Sequence, residues 1–485
     1  MDVEVAQPLH LRREARRPVV PHRLAKPRPR ISGNAVVGMV LWFLLWCGYN
    51  TVTGYWLEPD FPSSTTSLIH GVRAFFPMVA AWIALLMILA RSSRLHRWIA
   101  SPLGLILIYA ATGLVSSLTL SPETLDATYY AVNYLAIILV LLATVLVDDP
   151  LPDLRNILRF TWGVGMVFTL ALLGTIPVLG TELIREPELG PAGAQTLRGT
   201  GLVMGMATSR NTGLARYAAI SALVAIAGLL RKGNRAARVT WGIVLIVSLV
   251  ALYVANGRTE TLGFVLGVMA LFGVQRAKRF IFFLVGAAGG LLLGLGSFYT
   301  WFYHYFTRTG HFDFTLTGRT RIWEEGFHVL WKSPLIGLGF QADRYYLNWH
   351  AHNAFLQALL QSGLLGGIAL FVGLAIIWYY IIYHFFVIQP SDKSLIPPEI
   401  PAVFLFLTFS SLTESTFAYF SATWLLSVPI IPYVIALHWH MRRSRAMAAR
   451  EKLVKIRLTR QRFQAAESSD GIEVVPPPPA GGVRY

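Results

Sequence analysis

The 485-residue chain is 54% hydrophobic and only 14% charged, with a mean hydropathy of +0.53; this excludes an ordinary soluble globular protein and makes a bilayer its natural solvent. A formal net charge of +17 does not mark a nucleic-acid binder, because Lys and Arg gather in short runs between apolar segments and at the two ends, where they face anionic headgroups. The single cysteine, Cys47, lies in an apolar run, packs there, and excludes an internal disulfide.

Residues 1–34 carry Arg12, Arg13, Arg16, Arg17, Arg23, Lys26, Arg28 and Arg30 among prolines, with no short apolar stretch and cleavage site before the first apolar run. They read as a disordered, basic cytoplasmic tail. A span needs about 20 apolar residues, which predicts helices at 35–56, 68–90, 99–120, 129–147, 157–179, 212–230, 239–255, 261–275, 280–300, 362–387, 401–418 and 422–438. The expected fold class is all-α, a polytopic membrane helix bundle of about 12 transmembrane helices. Residues 35–300 hold the first nine helices, with a loop at 180–211; 301–353 form a large loop; 354–440 hold the last three helices. The tail at 441–485 is basic, reads first as a surface-associated helix, and ends flexibly at Pro476 to Pro479.

Threading the helices from a cytoplasmic N-terminus puts Arg91, Arg94 and Arg97, the run Arg231, Lys232, Arg235 and Arg238, the run Arg276, Lys278 and Arg279, and the tail from Arg442 all on the inner face. Both termini are then cytoplasmic. The opposite loops around Glu58 and Asp60, and around Glu123 and Asp126, carry acid and no Lys or Arg. The two long loops, 180–211 and 301–353, lie on the outer side yet hold Arg185, Arg198, Arg210, Arg308, Arg319, Arg321, Lys332 and Arg344, while Arg216 and Arg258 lie just inside neighbouring helices. A multiply anionic ligand is the simplest account of so many outer arginines.

The densest polar patch reads Gly318-Arg319-Thr320-Arg321-Ile322-Trp323, then Pro334-Leu335-Ile336-Gly337-Leu338-Gly339, then His352-Asn353-Ala354-Phe355-Leu356, then Gly363-Leu364-Leu365-Gly366. This series resembles the signature of the O-antigen ligase and polymerase superfamily, of the Wzy, WaaL and ExoQ type. Two upstream stretches are similar to the same family: Arg198-Gly199 through Arg210-Asn211, and Asn256-Gly257-Arg258-Thr259, where Gly257 stands in the place of the usual Ser. Each motif alone is weak; in order and at the expected topological positions they are specific. The resemblance spans about residues 195 to 420. It implies a GT-C-like bundle in a bacterial inner membrane, with a periplasmic site and an undecaprenyl-diphosphate-linked glycan as donor.

The chemistry of the residues agrees with that implication. Breaking the anomeric bond of such a donor releases a diphosphate, so the main demand is stabilisation of growing negative charge, which arginine meets with a permanently charged, bidentate fork. Arg198, Arg210, Arg258 and Arg319 are the candidates for diphosphate binding, and Arg258 also precedes an apolar helix whose N-terminal amides attract anions. His352 is the candidate base for the acceptor hydroxyl. Catalysis is thus assigned to His352, Arg258 and Arg319, with Asn353, Glu414 and Trp323 in support. Arg308, Arg344, His304, His311, His328 and His350 lack a motif match and are read as ordinary interfacial or structural residues. Glu414 is open between an arginine partner and a hydrated helix end among Ser410, Ser411, Thr413, Ser415 and Thr416. Trp323 and Trp331 are open between sugar stacking and an aromatic belt.

Gly337 and Gly339 shape a turn, not a phosphate loop, since no Lys-Ser or Lys-Thr follows. No cofactor and no metal are expected: the outer loops hold no Asp-x-Asp pair and no His or Cys cluster with metal spacing. The expected activity is an inverting, metal-independent glycosyltransferase that polymerises lipid-linked repeat units in exopolysaccharide or O-antigen synthesis. An O-antigen ligase that moves glycan to a lipid A core sugar, or to protein, is the alternative; a flippase for lipid-linked sugar is the non-enzyme alternative, and predicts broken or charged helices at the bilayer midplane. Expected partners are the undecaprenyl-diphosphate-linked glycan, membrane lipids, and a flippase and chain-length regulator of the same pathway, with no nucleic acid.

Overall fold

In hydrocarbon, backbone N–H and C=O groups find no water, so an apolar chain must satisfy them within each segment, as helices do. The computed structural model describes residues 32–48, 72–179, 182–185, 195–198, 211–231, 233–255, 257–275, 319–348, 350–387 and 397–470, and their arrangement is almost wholly helical. The helices are α1 (Gly33–Gly48), α2 (Phe76–Ala90), α3 (Leu95–Ile99), α4 (Pro102–Thr119), α5 (Thr124–Val145), α6 (Leu151–Leu179), α7 (Asn211–Leu230), α8 (Arg235–Ala255), α9 (Arg258–Gln275), α10 (Arg319–Leu330), α11 (Ala342–Leu347), α12 (Ala354–Ile381), α13 (Glu399–Ser410), α14 (Ala422–Ser427) and α15 (Ile430–Asp470). Between α6 and α7, strands β1 (Glu182–Arg185) and β2 (Gln195–Arg198) pair antiparallel, with Glu182 opposite Arg198.

Among the described residues, eight helices are long and apolar enough to cross a membrane, and Gly33–Gly48, Thr259–Gly273 and Glu399–Ser410 are shorter apolar helices. The chain is a multi-pass membrane protein of all-α class. The expected span at 280–300 lies outside the described residues, as do the first and last stretches of the chain.

Among the boundaries that differ from the sequence reading are those of the last three expected helices. The helix expected at 362–387 begins earlier, at Ala354, because Asn353 caps it: its Oδ1 accepts from the backbone N–H groups of Phe355 at 2.9 Å and Leu356 at 3.0 Å. The helix expected at 401–418 stops at Ser410, where hydroxyl side chains compete for the backbone: Ser411 bonds Thr416, and Ser421 Oγ donates to the Thr416 carbonyl at 2.7 Å. The helix expected at 422–438 breaks after Ser427 and resumes at Ile430, then runs without interruption to Asp470, so the basic segment after His440 continues the last bundle helix.

A small apolar cluster packs Leu330, Leu338, Leu347, Leu356 and Leu360 around the loop after α10, and the larger core draws aliphatic and aromatic side chains from all the long helices. At its centre the Tyr109 and Tyr134 rings meet edge to face at 5.2 Å, and Phe340, from the loop after α10, tilts against Tyr134 at 5.5 Å. Buried Tyr hydroxyls need partners, and these two reach the loop before α14: Tyr109 donates to the Ala418 carbonyl at 2.6 Å and Tyr134 to the Phe417 carbonyl at 3.0 Å. The bundle therefore holds both polar loops that follow α10 and α13. At the opposite end, Asp153 accepts from Ser32 at 2.7 Å and from Asn34 at 2.9 Å, Arg94 pairs with Asp148 at 2.8 Å, and Arg231 pairs with Glu399.

Candidate functional site

The loop from Trp331 to Asn353 is built into a break in α12. At Gly363 the backbone has φ 60° and ψ −165°, which interrupts the helix and orphans carbonyls of the preceding turn. The Pro334–Gly339 segment fills the break: Leu338 N–H donates to the Leu360 carbonyl at 2.7 Å and Gly339 N–H to that of Gln361 at 3.0 Å. In return, Leu364 N–H donates to Pro334 O at 2.8 Å and Leu365 N–H to Leu335 O at 3.0 Å. This exchange satisfies groups that a helix break would otherwise leave bare. Only glycine fits here, since a Cβ on Gly337 would lie 2.4 Å from Gly363 N, and one on Gly363 would lie 2.3 Å from the Leu335 carbonyl carbon.

With its start fixed, the loop ends by presenting His352. Trp323 on α10 donates its indole N–H to the Ala351 carbonyl at 2.8 Å, and Asn353 caps α12 while its Nδ2 donates to the Leu412 carbonyl at 3.2 Å. Between these two anchors His352 adopts φ 47°, a left-handed conformation uncommon for a non-glycine residue. Such conformations are worth about 1–3 kcal/mol of strain and cluster at functional sites.

The partner of His352 comes from the loop after α13. Glu414 Oε2 lies 3.5 Å from His352 Nδ1 and 3.0 Å from an Arg216 guanidinium nitrogen, and Glu414 Oε1 lies 3.7 Å from Arg319. The His352 contact is long for a hydrogen bond, and Nδ1 is buried with no hydrogen-bond partner among the described residues. Burial by itself raises the Glu414 pKa, but Arg216, His352 and Arg319 together outweigh it and hold the carboxyl at about 2.

Two further ties complete the cluster. Arg319 donates to the Thr413 carbonyl at 2.7 Å, fixing α10 to the Glu414 loop, and Thr413 Oγ1 lies 3.3 Å from Thr259 Oγ1 in the first turn of α9. Arg216 Nε meets Glu260 Oε1 at 3.2 Å, so one guanidinium on α7 bridges a carboxylate on α9 and Glu414. Arg216 and Glu260 were absent from the candidates, yet they left a trace in the sequence: opposite charges inside apolar helices survive when paired.

The structure brings His352, Arg319, Glu414, Asn353 and Trp323 into this cluster. Arg258 is the first residue of α9, beside Thr259; its side-chain placement, like that of Arg198 on β2, lies outside the described set, and so does Arg210. Asn353 and Trp323 are both engaged with backbone carbonyls or amides around His352. Trp331 is exposed.

Residues 243–371 match the family model described as O-Antigen ligase. This chain resembles the O-antigen ligase and polymerase superfamily. The matched segment contains Arg258, Arg319 and His352 and stops short of Glu414 and Arg216, which the fold supplies from either side. Among curated proteins, the Exopolysaccharide production protein ExoQ of Rhizobium meliloti (strain 1021) is 29% identical over 126 residues, which cover 22% of this chain and 29% of that relative's length. The match to ExoQ therefore spans less than a third of that protein.

Proposed function

We propose that the chain is an inverting membrane glycosyltransferase that extends a polysaccharide by transferring an undecaprenyl-diphosphate-linked glycan onto a second lipid-linked repeat unit. The observation that carries this reading is the His352–Glu414 contact within an arginine cluster, on a segment that matches the O-antigen ligase family. The acceptor hydroxyl oxygen attacks the anomeric carbon, its proton passes to His352, and the bond to the diphosphate breaks with the electron pair leaving on the diphosphate oxygen. Glu414 stabilises the imidazolium so formed. Arg258 and Arg319, with Arg198 and Arg210, receive the charge that develops on the leaving group. The site end of the bundle faces the periplasm and both termini the cytoplasm, in accord with the basic clusters at the opposite end.

The relative named for exopolysaccharide production favours polymerisation; ligation to a lipid A core sugar or to protein uses the same donor chemistry and is the second reading. Lipid-linked glycan analysis of a deletion strain separates them. A single repeat unit on its final lipid is the expected result, whereas long polymer stranded on the carrier would mean a ligase. Arg258→Ala and His352→Ala abolish polymer with normal membrane insertion; near-normal polymer in either strain would sink the site assignment.

A further inference from the structure

A second polar array adjoins the His352 cluster on α11 and α5. Asp343 is fully buried: its Oδ2 accepts from the Ala351 N–H at 3.0 Å and lies 3.6 Å from His350 Nδ1, while Oδ1 accepts from Gln357 at 3.4 Å. His350 Nε2 meets the Arg344 guanidinium at 2.7 Å, and the His350 and His352 rings lie 5.6 Å apart. The next residue, Tyr345, donates its hydroxyl to Asp126 Oδ2 near the start of α5. Asp126 Oδ1 is shielded from solvent and has no hydrogen-bond partner among the described residues.

This array is more acidic than the His352 cluster, where Arg216 and Arg319 face Glu260 and Glu414. Asp126 and Asp343 give the array two carboxylates to the one guanidinium of Arg344. Such a surface disfavours an anion, and its acceptor oxygens, tyrosine hydroxyl and single fork suit a neutral ligand rich in hydroxyl groups. We propose that Asp126, Tyr345, Arg344 and His350 form a subsite for the uncharged terminal sugar of the acceptor and turn its hydroxyl towards His352. This rests on the glycosyltransferase reading for the direction of transfer. The array's ligand chemistry is argued from its own residues.

The test uses the full chain in lipid nanodiscs and, as probe, the repeat-unit oligosaccharide released by mild acid from lipid-linked intermediates of the same cells. Saturation-transfer NMR titration reads its binding to the wild type and to Tyr345→Phe, Arg344→Gln and Arg319→Gln, with thermal unfolding followed for each. Tyr345→Phe and Arg344→Gln are expected to bind about tenfold more weakly, the effect of losing one good hydrogen bond, at unchanged unfolding temperature. Arg319→Gln, on the donor side, is expected to bind as the wild type does. Unaltered binding in both subsite variants, equal loss in all three, or no binding by the wild type would overturn the subsite. Glycan transfer from the lipid-linked donor is measured in parallel: a wild type that binds the oligosaccharide but transfers nothing would refute the transferase reading and leave the subsite in place.

Discussion

His352 Nδ1 and Glu414 Oε2 stand 3.5 Å apart, a histidine from the end of one long loop facing a carboxylate from another. A carboxylate in this position orients an imidazole and stabilises its protonated form, so that the other ring nitrogen takes a proton from a substrate. On the proposed mechanism His352→Ala loses about 10²–10⁴-fold in transfer rate, the usual contribution of a general base. Glu414→Gln keeps the shape and removes the charge; it is expected to lose about 10²-fold or more in kcat with little change in donor affinity. Single-turnover rates on purified protein check both, and a Glu414→Gln enzyme of wild-type rate would remove Glu414 from the mechanism.

Arg216 bridges Glu260 and Glu414 inside the bundle, where an unpaired charge is costly. Arg216→Met strands two carboxylates and is expected to destabilise the protein by about 3–5 kcal/mol. Adding Glu260→Gln relieves one of them and restores part of that stability, but transfer stays impaired because Glu414 has lost its principal cation. Thermal unfolding and activity of the two single variants and the double variant measure the coupling. Simple additivity in stability would show that the bridge is not a unit.

Gly363 and Gly337 approach each other where the Pro334–Gly339 segment enters the break in α12. Gly363→Ala places a methyl against the Leu335 carbonyl at a left-handed φ, with an expected loss of about 1–3 kcal/mol. Because the same segment leads to His352, activity falls further than folding does. Circular dichroism melts compared with transfer rates test this; an unchanged melting temperature would contradict the packing argument.

The Glu414 carboxyl sits at about 2, below its ordinary value of 4.5. A depressed folded-state pKa gives stability that is complete above about 4.5 and is lost as pH falls towards about 2. Glu414 therefore stays ionised throughout the range from 5 to 8, and no change of rate across that range comes from its protonation. Unfolding followed from pH 5 down to 2 is expected to show a steep loss of stability that Glu414→Gln flattens. Equal pH dependence in the two proteins would count against the ion-pair account.

Much of the frame was legible in the chain. Apolar runs long enough to cross a bilayer, such as Pro102–Thr119 and Thr124–Val145, dictate helices because a lipid-embedded backbone has no other partner. The motif series singled out His352 and Arg319, whereas Glu414 stood out only as a carboxylate in an apolar stretch, open between an arginine partner and a hydrated helix end. Less legible was the end of α13 at Ser410, set by hydroxyl-to-backbone bonds that apolar counting ignores. The ribbon formed by β1 and β2 was not anticipated either, since pairing between Glu182 and Arg198 is a relation across a loop, not a local pattern.

Sequence by itself determined the solvent, the helical class, the charge asymmetry and which residue types could bear the chemistry, because these follow from local composition and period. Only the tertiary structure decided which of them meet. Arg216 finds Glu260 and Glu414, His352 finds Glu414 and His350, and Pro334–Gly339 finds the gap at Gly363. Each is a pairing of side chains or backbone groups brought together by helix packing. Such contacts depend on how the bundle closes around the two polar loops, and no single stretch of the chain encodes them.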